Sequence, residues 1–81
     1  MNAAAQIGYT EFMVRSLVAA VTGSPVESLP AADATLHMSA PDRLELVREL
    51  SDAFACPIRI EDATDLTIQS LVHLVDENRP L

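Results

Sequence analysis

Ser39-Ala40-Pro41-Asp42 and the stripe behind it constrain this chain more than any other stretch. Serine is a favoured helix N-cap, because its hydroxyl accepts one of the N–H groups that the first turn leaves without a partner. Pro41 suits that first turn, where it forfeits no helical hydrogen bond. Asp42, three residues past the cap, makes a capping box with Asp in place of Glu, and its charge suits the positive end of the helix dipole. Leu44, Val47, Leu50 and Phe54 follow at steps of three, three and four, widened by Leu46 and Ala53. That pattern is an amphipathic helix. Cys56-Pro57 ends it, since the residue before a proline is pushed out of the helical region.

Two more helices frame this one. From about Gln6 to Thr22, Ile7, Phe12, Leu17, Val18 and Val21 form an imperfect apolar stripe, and Gly23 and Pro25 supply the stop. Tyr9, Phe12 and Met13 read as core or boundary packing. Near the C-terminus Thr67 caps a helix in which Ile68, Leu71, Val72 and Val75 fall at i, i+3, i+4 and i+7, closed by Asn78 and Pro80. Residues 23–38 form a connection long enough to need anchors of its own, for which Val26, Leu29, Leu36 and Met38 are available. Pro25 to Leu29 suits a helical turn. Pro57 to Ile60 reads as an extended linker, because a lone strand has nothing to pair with, and Glu61 to Leu66 as a short acidic turn. The expected fold is all-α, a single domain over residues 1–81 with three main helices and one short one. Its core is expected from Phe12, Leu17, Leu36, Leu44, Val47, Leu50, Phe54, Ile60, Leu71 and Val75.

Size and charge then exclude function classes. A chain of 81 residues buries roughly 60% of its extended surface, enough for one core and no second domain. Cys56 is the sole cysteine, which removes an internal disulfide and any multi-cysteine zinc site. Twelve acids face five arginines with no lysine, a net charge of −7. Nucleic acids and anionic membranes both need a basic stripe that this chain lacks. A basic protein partner is attracted instead. Residues 1–38 carry three acids and one arginine, a net of −2; residues 39–81 carry nine acids and four arginines, a net of −5. Any acidic docking face therefore belongs to the second half. Met1 to Ala5 lacks the basic start of a signal peptide, and no apolar run approaches the ~20 residues of a membrane span. The chain reads as soluble and cytoplasmic.

Catalytic constellations are missing from the sequence. His37 and His73 are far apart and show no metal-ligand spacing. Cys56 is expected as a buried thiol, two glycines cannot make a phosphate-cradling loop, and Glu61-Asp62 is explained by capping. The reading is of a protein that is not an enzyme and holds no metal.

The segment from Leu36 to Val47 resembles the heart of an acyl or peptidyl carrier protein, where a long loop leads into an Asp-Ser-Leu motif at the start of the second helix. Gly23 to Leu29 resembles the loop after the family's first helix, Phe54 to Ile60 its helix-two exit, and Thr67 to Val75 its last helix. The resemblance implies a small four-helix carrier fold. It also implies a serine bearing phosphopantetheine, and docking of acidic helix-two residues onto cationic enzymes of fatty-acid, polyketide or nonribosomal peptide pathways. The attachment motif departs from the family. Counting back five from Glu45 puts the serine at Ala40, the aspartate at Ser39 and the leucine at Pro41. A methyl group offers no oxygen to the phosphopantetheine phosphate, so no cofactor is expected. Ser39 is a substitute one residue early, turned by ~100° of helix and already used as a cap. Asp42, Glu45, Glu49 and Asp52 keep the acidic docking character, while Pro41 and Arg48 stand where the family is usually apolar.

Three functions remain on this reading. The first is a carrier-like module that acts through protein contacts without phosphopantetheine. The second is a working carrier, modified at Ser39 or at a serine that alanine replaces at position 40. The third is a helical interaction domain unrelated to acyl chemistry.

Overall fold

The computed structural model describes residues 3–59 and 66–78, with side-chain surroundings from residue 8 onward. These residues make α1 (Ala3–Thr22), a 3₁₀ turn (Val26–Ser28), α2 (Ala40–Phe54) and α3 (Ile68–Asn78). No strand occurs among the described residues, although Thr35 and Thr67 form an isolated antiparallel bridge. Helix α1 packs against both α2 and α3, so the architecture is a small helical bundle. The acidic turn expected over Glu61 to Leu66 lies outside the described residues except for Leu66, which is buried and not helical.

The helix ends follow local chemistry. At the end of α1, Gly23 takes φ 76°, and the N–H groups of Gly23 and Ser24 both reach Ala19 O, at 2.8 and 3.1 Å. A glycine adopts that left-handed turn without Cβ strain. Helix α2 stops one residue earlier than the Cys56-Pro57 signal, at Ala55, with φ 52° and ψ 42°. An alanine in that conformation costs roughly 1 kcal/mol, and nothing in its side chain announces it. The linker behind it is fastened by Ser51, whose Oγ accepts the Ile58 N–H at 3.2 Å and lies 3.4 Å from Ile58 O. Residues 57–59 have no regular secondary structure, and Ile58 is buried; Ile60 lies outside the described residues.

Helix α3 has the strongest start. Thr67 Oγ1 accepts the Ser70 N–H at 2.9 Å, and Ser70 Oγ accepts the Thr67 N–H at 3.0 Å. The long connection is tied to the same point: Gln69 N donates to Ala32 O at 2.8 Å, and Leu36 N to Leu66 O at 2.7 Å. Leu36 is buried, Leu29 and Met38 pack against the core, and Val26 is exposed and anchors nothing.

The core is built from Val14, Val18, Leu36, Leu46, Val47, Leu50, Cys56, Ile58, Leu66, Ile68, Leu71 and Val75. Leu17 and Phe54 pack against it, and Cys56 is buried as expected. Two expected core residues are corrected. Phe12 and Leu44 are 61% and 51% exposed. On α1 the inner face runs Thr10, Val14, Val18, at steps of four, and Phe12 lies about 160° round the helix from Val14. Tyr9 is exposed as well, so neither aromatic does the packing expected of it; Met13 is half-buried. On α2 the inner ridge is Leu46, Val47 and Leu50, and Leu44 points away from it. The same ridge continues backwards to Arg43, which is half-buried, with an Nε that is shielded from solvent and lacks a hydrogen-bond partner. Arg43 is therefore partly withdrawn from solvent, unlike the exposed Arg48.

Candidate functional site

The first turn of α2 is the place where chemistry-bearing expectations converge. Ser39 is extended, with φ −68° and ψ 161°, and its Oγ accepts the Asp42 N–H at 3.2 Å. Its carbonyl takes the Arg43 N–H at 3.0 Å. Ser39 is thus the N-cap, and Ala40 is the first helical residue. Ser39, Ala40 and Pro41 are exposed, and Asp42 is half-buried. Ala40 presents only a methyl group to solvent at the first position of α2.

Beside this turn, α1 and α2 diverge into an open groove of about 490 Å³. Its floor is Leu17, Ala20 and Val21 from α1; its rim is Pro41, Asp42, Glu45 and Glu49 from α2. The α1 contribution was not foreseen. Leu17 and Val21 belonged to the apolar stripe, but only the packing of α1 against α2 shows that their outer flanks stay open. Helical steps of three and four put Asp42, Glu45, Glu49 and Asp52 along one edge of α2, with Asp52 exposed beyond the groove. Arg48 is exposed too and does not line it. Among the described residues none of these four carboxylates has a cationic partner; the ion pairs are Arg15–Glu11 at 2.9 Å and His73–Glu77 at 3.7 Å. Three unneutralised acids on the rim of a half-apolar groove, with Asp52 exposed beyond it, create a negative potential that draws cations and basic protein surfaces.

The turn offers little for covalent work. The Cys56 thiol is buried at the far end of α2, and His73 is exposed on α3 with Glu77 beside it. His37 is exposed in the connection before Ser39. Among the described residues no group of three or more His, Cys, Asp or Glu side chains could hold a metal ion. No helix among them is long and apolar enough to cross a membrane.

Comparison of this chain with protein-family models, with curated proteins and with solved structures returns no match.

Proposed function

We propose that this chain is a carrier-protein-like docking module that binds basic enzymes of a carrier-dependent biosynthetic pathway and takes no phosphopantetheine itself. The observation that carries the reading is the exposed Ala40 at the first helical position of α2, beside a groove with an apolar floor and an acidic rim. A transferase that approached as the resemblance implies would meet the acidic residues of the docking face and find no nucleophile at position 40. An alanine methyl cannot attack a phosphate, and the Ser39 hydroxyl is engaged by the Asp42 N–H. The helical bundle and the long connection running into α2 are compatible with a carrier fold. In the same reading the site of action is the cytoplasm.

A protein that docks without reacting is a competitive inhibitor. Increasing amounts of this chain should slow the transfer of phosphopantetheine from coenzyme A onto a working carrier protein by a broad-specificity transferase. Its own intact mass should not change. Exposed charges act over ~10 Å at 0.1 M salt and ~3 Å at 1 M, so inhibition should fade as salt rises. Glu45→Arg with Glu49→Arg should abolish it while the thermal melt stays in place. A mass increase mapped to Ser39 would make the chain a working carrier instead. Absence of inhibition at low salt would leave only a helical interaction domain of another kind.

A further inference from the structure

The two sides of the groove between α1 and α2 differ in chemistry. On the α1 side Leu17 and Val21 pack against the core and leave their outer flanks open, with the exposed Ala20 beside them. Every charge that lines the groove comes from α2 and is negative. Asp42, Glu45 and Glu49 spread over seven residues, about 10 Å along the helix axis. Acids alone steer any cationic surface and contribute little to choosing among them. The hydrocarbon beside them is more selective, because only an apolar side chain gains by covering it.

We propose, building on the docking function above, that the partner enters this groove as a helix bearing one aliphatic side chain with a basic residue a turn before and a turn after it. The aliphatic group covers the floor at Ala20, where the side chain is only a methyl group. The two cations face the carboxylates of the rim. A helix brings positions i, i+3 and i+7 to one face, and its basic pair then has the seven-residue separation of Asp42 from Glu49. An extended segment turns successive side chains to opposite faces, so an apolar residue next to a basic one would point out of the groove. Laying the apolar face of an amphipathic helix into a groove is a common mode of recognition.

Charge and hydrocarbon have separate signatures. Pairing at an exposed rim weakens as the screening length falls from ~10 Å at 0.1 M salt to ~3 Å at 1 M. Apolar burial does not depend on screening. Raising the salt should therefore lower the affinity of any basic helix and leave the advantage of an aliphatic one in place.

Calorimetric titration of the full chain with two synthetic peptides tests the proposal. Both are alanine-based helices of equal charge. One contains Arg-Ala-Ala-Leu-Ala-Ala-Ala-Arg, and the other has alanine in place of the leucine. The leucine peptide should bind about tenfold more tightly, or ~1.4 kcal/mol, and the ratio should hold at low and high salt. Ala20→Gln lays an uncharged amide over the floor from an exposed helical position, so it should abolish the preference while circular dichroism stays unchanged. Glu45→Arg should weaken both peptides alike. Failed inhibition of the transferase with a retained leucine preference would remove the pathway and keep the occupant of the groove as stated. Equal affinities for the two peptides overturn the proposal and leave electrostatic docking, judged by transferase inhibition, standing. A preference that survives Ala20→Gln overturns it too, since the leucine then lies elsewhere. So does a chain that binds neither peptide at low salt.

Discussion

The starts of α2 and α3 use the same device and differ in how much is built around it. In each, a hydroxyl oxygen accepts the N–H three residues on, at 3.2 Å from Ser39 and 2.9 Å from Thr67. Thr67 is buried, and its bond is returned by Ser70 Oγ. The neighbouring Gln69 and Leu36 N–H groups tie the long connection to the same knot. Ser39 stands in solvent with Ala40 and Pro41, and its cap is a single forward bond. One helix start holds the fold together; the other is held out to the solvent. Stability concentrated at α3 leaves the α2 turn free to meet another molecule.

That contrast can be broken by mutation. The largest effect should come from the core that α3 contributes. Leu71→Ala should cost about 2–5 kcal/mol, because Leu71 is fully buried, while Leu44→Ala on the outer side of α2 should cost under about 0.5 kcal/mol. Urea midpoints at a constant slope would measure both. Thr67→Ala should cost about 1–2 kcal/mol, since it also leaves the half-buried Ser70 N–H without its acceptor. Ser39→Ala should fall at about 0.5–1 kcal/mol, because water replaces the lost acceptor at an exposed turn. Equal losses at Ser39 and Thr67 would erase the contrast. One further effect has the opposite sign. Ala55→Gly should stabilise by roughly 0.5 kcal/mol or a little more, as relief of the left-handed strain is partly offset by the greater freedom of glycine in the unfolded chain.

What the sequence made legible is what short-range chemistry decides. Ser39 and Thr67 as caps, Gly23 as a stop and the 3₁₀ turn after Pro25 each depend on a few adjacent residues, and the structure has all four. The face of α1 was not legible. Apolar residues surround that helix, so periodicity alone could not choose between Val14 and Phe12 as its inner side, and the weight of the aromatics favoured Phe12. Arg43 was hidden for a related reason: a charge in an amphipathic helix is read as outward, yet its long stem allows it to lie half-buried beyond Leu46. The groove at the candidate site was half legible. Its acidic rim is a local pattern on α2, but its floor comes from Leu17 and Val21, brought there by a contact between distant segments. Ala55 gave no signal, because left-handed stops are sought at glycine.

On the function proposed above, α2 offers a carrier-type docking face whose acceptor is missing. The most direct measurement restores the acceptor. In the variant Ser39→Asp, Ala40→Ser, Pro41→Leu the new serine stands at the first helical position with an aspartate as its cap, a residue type that caps as well as serine. Incubated with coenzyme A and a broad-specificity phosphopantetheinyl transferase, this variant should gain one phosphopantetheine by intact mass, mapped to position 40. The original chain, treated alongside, should keep its mass. A variant that folds and stays unmodified would overturn the proposed docking function, because the surface around Ala40 would then not be one that the transferase recognises.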